Sequence, residues 1–103
     1  MAEESEQEKR EKNYKINEYM VKATDMTDAM RDQSVRIISS NVRYYKEPQL
    51  IAKGVKEDFD KKFKYNWHCV VGADFGSTVT HEGSHFLFMF VDTLAVLVFK
   101  TRE

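Results

Sequence analysis

The sequence predicts an α+β fold in which two helices pack on an antiparallel β-sheet. Three observations carry this. Apolar residues recur every three or four positions between Thr27 and Phe63, as on the buried stripe of a helix. After Asn66 the period drops to two, and turn residues cut the second half into short strands. Two helices followed by a meander is the α+β order. With 103 residues the chain makes one domain. Size scaling gives a folded surface of roughly 6,000 Å² against about 17,500 Å² unfolded, enough for one core and no separate catalytic or cofactor domain.

Residues 1–15 hold nine charged side chains of both signs and nothing aliphatic beyond Met1 and Ala2. Such a segment buries too little surface to offset its ordering entropy, so a flexible tail is expected at 1–15 and a folded domain at 16–103. A strand around Tyr19 to Ala23 precedes the helices. The first helix starts near Thr27, an N-cap followed by Asp28, whose negative charge suits the helix dipole. Met30, Ser34, Ile37, Ile38, Val42 and Tyr45 form its buried stripe. Lys46-Glu47 breaks the helix, and Pro48 restarts it at a first helical position. Ile51, Val55, Phe59 and Phe63 continue at i, i+4 spacing, with Lys53, Lys56, Glu57 and Asp60 on the wet sides. Gly54 in mid-helix costs about 1 kcal/mol relative to alanine, which points to a close backbone approach. WHCVVG, FGSTVT, HFLFMFV and TLAVLVFK then read as four strands, with turns at Ala73-Asp74, Glu82–Ser84 and Asp92.

Within HFLFMFV, Phe86, Phe88 and Phe90 share one face, and Leu87, Met89 and Val91 the other. Both faces are apolar, yet two helices cover only one. A second copy of the chain is the economical cover for the other, so a dimer is expected.

Sixteen basic and seventeen acidic residues leave a net charge of -1, which argues against a dedicated nucleic-acid or membrane-surface binder. The single cysteine, Cys69, forbids an internal disulfide and suits a reducing compartment. Residues 1–15 contain no apolar signal core, and the apolar run from His85 to Phe99 is shorter than the ~20 residues of a membrane span.

HEGSH at His81–His85 matches H-E-x-x-H, but that zinc motif needs a helix to bring its two histidines to one metal. Here it lies between strand-like runs with Gly83 inside it, and extended histidines four apart are ~13 Å from each other. Cys69 and His68 are neighbours in a strand and point to opposite faces, so they form no direct catalytic pair. No catalytic residue, metal site or cofactor is expected. The FGSTVTHE segment remains, either as an ordinary edge strand or as a template for β-augmentation by an extended partner.

The runs NWHCVVGADFGSTVTHEGSHFLFMF and LAVLVFK, with EDFDKKF and MTDAM, closely resemble the small, eight-kilodalton-class dynein light chains. The likeness covers about residues 19–101; WHC, GxxFGS and VTHE form a dense signature. The charged tail and DTLAV are also similar to an axonemal member. The resemblance implies a strand-swapped homodimer with two symmetric peptide grooves. By matching positions, Phe75, Gly76, Ser77, Thr78, Val79, Thr80 and His81 would supply the swapped strand. Phe86, Phe88, Phe90, Ala95 and Leu97 would line the groove, with Gln49 at its rim. Lys56, His68, Ser77, Thr78 and Thr80 would lie at the dimer interface. Pro48-Gln49 replaces the family's usual Glu-Lys pair, whose lysine helps hold a partner glutamine. Thr78, Phe88 and Phe90 replace tyrosines, and Thr101 stands where a regulatory serine often sits.

The reading that results is a non-enzymatic dimeric hub of a dynein motor complex. It would bind extended motifs by strand addition and hold two partner chains together. Expected partners are a second copy or a paralogue, the dynein intermediate or heavy chain complex, and other proteins with linear motifs; no nucleic acid and no membrane. The expected setting is the cytoplasm and microtubule cytoskeleton, with the ciliary axoneme from the axonemal likeness. The rivals are a structural member with inactive grooves and a zinc hydrolase built on HEGSH.

Overall fold

The computed structural model describes residues 15–64, 66–73 and 85–101. The expected tail, apart from Lys15, and the FGSTVT strand with His81–Ser84 lie outside the described residues. The order is β1 (Tyr19–Thr24), α1 (Asp28–Tyr44), α2 (Pro48–Phe63), β2 (Trp67–Ala73), β3 (Phe86–Val91) and β4 (Leu94–Lys100). The strands form one antiparallel sheet in the order β1-β3-β4-β2. The α+β prediction holds.

Local chemistry sets the boundaries. Thr27 caps α1, its Oγ1 accepting the Met30 N–H at 3.2 Å. Pro48 opens α2 behind Glu47, whose carbonyl accepts the first helical bonds from Leu50 and Ile51. Asp92 and Thr93 turn β3 into β4, with Asp92 at φ 52, a left-handed conformation that aspartate tolerates better than most residues. The Asp92 carboxylate also accepts the Asn17 and Glu18 N–H groups at 3.2 and 3.0 Å, fastening the start of β1 to that turn. Asp25 does the same at the other end of β1, accepting the Phe86 N–H at 2.8 Å.

The two helices cover one sheet face. Leu87, Met89 and Val91 of β3 and Val96 and Val98 of β4 pack there with Ile38, Ile51, Val55, Phe59 and Trp67. The Trp67 ring lies 5.0 Å from Phe59 and 5.9 Å from Phe63, closing the base of α2 over β2. The buried stripe of α1 differs from the predicted one. Ser34, Ile38 and Asn41 are fully buried, whereas Met30, Ile37, Val42 and Tyr45 are only partly so. Asn41 fits because Gly54 faces it: a Cβ on Gly54 would lie 2.1 Å from Asn41 Oδ1. Asn41 Nδ2 in turn donates to the Ile37 carbonyl at 2.9 Å and to Asp58 at 3.0 Å.

Candidate functional site

Alternation along β3 and β4 leaves a second apolar face opposite the helices. Phe88, Ala95 and Leu97 form its centre, with Phe90 and Phe99 packed against them. The Phe88 and Phe90 rings meet edge to face at 5.3 Å. The centre is closed already: Ala95 has no exposure, Phe88 6% and Leu97 8%. The open apolar area lies at the margins instead, at Met20 on β1 (55% exposed) and Val70 on β2 (46%). Sequence alternation identified the face but not this division of it.

Of the expected groove residues, the structure brings Phe88, Phe90, Ala95 and Leu97 into that one cluster. Phe86 begins β3, opposite Phe99 of β4. Gln49 lies exposed in the first turn of α2, in the helix layer on the other side of the sheet. Phe75, Gly76, Ser77, Thr78, Val79, Thr80 and His81 lie outside the described residues. His85, the last residue of the HEGSH run, is exposed just before β3, and its carbonyl accepts the Lys100 N–H at 3.0 Å.

The two sheet edges differ. β1 carries an irregularity between Val21 and Ala23, at Lys22, and both a bulge and a lysine discourage further pairing. β2 pairs with β4 through seven successive residues without a break, and its other edge has no strand partner among the described residues.

His68 projects from β2 on the side of the second face. Its ring stacks on Phe99 at 5.4 Å, and Nε2 lies 3.1 Å from Thr101 Oγ1. Cys69 points the other way, against the helix-side core, where burial pushes its thiol up to about 12. Such a thiol is a packing group rather than a nucleophile.

Lys56 joins this region through Asp60. The sequence places Asp60 on a wet side of α2, yet its side chain is only 15% exposed. Oδ2 accepts from Lys56 Nζ at 2.6 Å and Oδ1 from the Trp67 N–H at 3.0 Å. Burial by itself raises the carboxyl, but the two bonds and the positive charges of Lys56 and His68 outweigh it and hold Asp60 below its ordinary value. Helical spacing could not reveal this, because the second partner is a backbone N–H beyond the helix end.

A family model described as dynein light chain type 1 matches residues 18–101. The cytoplasmic dynein light chain 1 of Candida glabrata is 40% identical over 86 residues, covering 84% of this chain and all of that protein. Among solved structures, the dynein light chain-like domain of the Fasciola hepatica calcium binding protein FhCaBP2 superposes with a TM-score of 0.72 at 19% identity. It covers 82% of this chain and 92% of that one. The corresponding domain of CsTAL3 gives 0.66 at 19% identity over 82% and 94% of the two chains. At that identity the structures speak for the fold, two helices on a four-stranded antiparallel sheet, while the matched model and the fungal relative speak for descent. The chain belongs to the dynein light chain type 1 family.

Proposed function

We propose that the chain is a non-enzymatic subunit of a dynein motor complex. It works as a homodimer that captures extended segments of partner chains by strand addition. The observation that carries this is the β2 edge, without a strand partner among the described residues, beside an apolar face. β2 pairs with β4 through seven unbroken residues and has no strand partner on its other edge among the described residues, with exposed Val70 and the Phe99-stacked His68 on one face. A second copy's FGSTVT strand fits such an edge. Gln49 and the Phe88–Leu97 cluster lie on opposite layers of one chain, so a groove that joins them needs residues from two copies. Two grooves per dimer would hold two parallel partner chains, with the second binding event favoured by millimolar effective concentration. The cytoplasmic name of the fungal relative supports a cytoplasmic, cytoskeletal setting and lends nothing to an axonemal one.

A second reading, a structural subunit whose grooves take no peptide, is favoured by the closed centre at Phe88 and Leu97. Two measurements separate the readings. Sedimentation at neutral pH should give a dimer for the natural chain and monomers for His68→Lys, which forces a charge into the interface; a His68→Lys dimer refutes the interface assignment. Calorimetry then compares one extended peptide carrying glutamine or alanine at its centre. Hydrogen bonds to charged groups contribute ~1.5–3 kcal/mol against ~1 for neutral ones, so Gln49→Lys should tighten the glutamine peptide by up to about tenfold. A dimer that binds neither peptide establishes the structural reading.

A further inference from the structure

The helix layer carries a charged groove that the peptide-binding reading does not use. It has a volume of about 540 Å³ and runs between α1 and the C-terminal half of α2. Arg36, Lys61 and Lys62 line it with Gln33, Ser40 and a single acid, Asp58. Asp58 is engaged with Asn41 Nδ2 at 3.0 Å. On the same helices Arg31 sits beside Asp28 and Asp32, and Lys56 beside Asp60. Arg36, Lys61 and Lys62 have no ion pair among the described residues. The groove is therefore a local positive surface on a chain whose overall net charge is -1.

Arg36 also lines a neighbouring cleft of about 390 Å³, together with Tyr19 and Val21 of β1. The start of the first strand and the charged groove thus share one side chain. Upstream of β1 the sequence reads EESEQE over residues 3–8, four carboxylates in a row of six, before Lys9 and Arg10. Eleven positions separate Glu8 from Tyr19, a reach of at most about 36–40 Å for extended chain.

We propose that the acidic segment 3–8 docks in the α1–α2 groove of its own chain, its glutamates meeting Arg36, Lys61 and Lys62. Exposed ion pairs are individually weak, but a tether holds the segment at millimolar effective concentration, so a weak site suffices. The docked segment shields this cationic groove on the helix layer. An acidic partner reaching that face would have to displace it.

The test uses the full-length chain with a nitroxide on Ser5→Cys, Cys69 being packed against the core, and reads amide broadening by NMR. Between about 0.01 M and about 1 M salt the screening length falls from about 30 Å to about 3 Å. Broadening should centre on Arg36, Ser40, Lys61 and Lys62 at low salt and vanish at high salt. It should also vanish at low salt in the triple variant Arg36→Glu, Lys61→Glu, Lys62→Glu, whose sites are on the surface and whose dispersed spectrum reports the fold. Broadening centred elsewhere, or persisting at high salt or in the triple variant, overturns the proposal. So does its absence. Broadening that appears only between an isotope-labelled copy and a nitroxide-bearing copy shows docking on a partner and overturns docking in cis.

Discussion

Gly54→Ala tests the contact between the two helices. By helix propensity alone the substitution stabilises α2 by about 1 kcal/mol. Its Cβ, however, would lie 2.1 Å from Asn41 Oδ1, 2.9 Å from Tyr45 Cε2 and 3.1 Å from Asn41 Cγ. Asn41 must then retreat by more than an ångström or the helices must part. Rotating Asn41 away forfeits its bonds to the Ile37 carbonyl and the Asp58 carboxylate, together ~2–4 kcal/mol. Parting the helices costs about 1–3 kcal/mol as overpacking. Less the helix gain, the net destabilisation should be about 2 kcal/mol, and at ~4–8 °C per kcal/mol the Tm should fall by roughly 8–16 °C. Urea unfolding at fixed protein concentration measures it, since a dimer's apparent stability depends on concentration. In an Asn41→Ala background, which empties the contested space, Gly54→Ala should be neutral or stabilising. A Gly54→Ala protein more stable than the natural chain by the propensity increment refutes the close approach, and additive effects in the double variant refute the coupling.

Asp60 has a depressed folded-state value, so the stability it contributes is fully present above the unfolded carboxylate value of about 3.9 and is lost as pH falls through the lower folded value. Urea midpoints measured from neutral pH down through that window should decline more steeply for the natural chain than for Asp60→Asn; parallel declines would remove Asp60 as an acid-sensitive group. Raising the Cys69 thiol from 9.0 to about 12 cuts the thiolate at pH 8. After the greater nucleophilicity of a more basic thiolate, it should react roughly 30-fold more slowly with a disulfide reagent in the folded chain than in urea. Equal rates would mean the thiol is open to solvent. At the β3–β4 turn, Asp92→Gly and Asp92→Ala both delete the acceptor for Asn17 and Glu18, but only alanine strains at φ 52. The alanine variant should be less stable by about 1–2 kcal/mol in thermal unfolding, and equal stabilities would refute the left-handed turn.

Where one physical rule governs a residue, the sequence displays it. Thr27, Pro48 and Asp92 mark boundaries through capping, fixed φ and turn chemistry, and all three act as read. Period two set Cys69 and His68 on opposite faces, and the structure puts Cys69 against the helices and His68 on the other face. Residues with two competing roles are harder. Asn41 is polar at an apolar stripe position, and only the space above Gly54 and the carboxylate of Asp58 make its burial tolerable. Asp60 has helical spacing to Lys56, which reads as a solvated pair, but its other oxygen meets a backbone group that spacing cannot locate. The second face was legible as apolar from Phe86, Phe88 and Phe90. Alternation does not encode that the face is buried at Ala95 while Met20 and Val70 at its margins stay open.

The fastening of β1 at Asp92 also bears on the order of events during synthesis. The groups joined there, Asn17 and Asp92, are 75 positions apart, and among the described residues β1's only strand neighbour is β3. A ribosome adding about 5–20 residues per second needs several seconds to cover that distance, whereas helices form within about a microsecond. The first strand made therefore waits longest for its partner, with Tyr19, Met20 and Val21 unmatched while α1 and α2 already exist. The Lys22 irregularity that blunts β1's outer edge, which has no strand partner among the described residues, would guard the same strand during that wait, when its sticky side has nothing of its own to join.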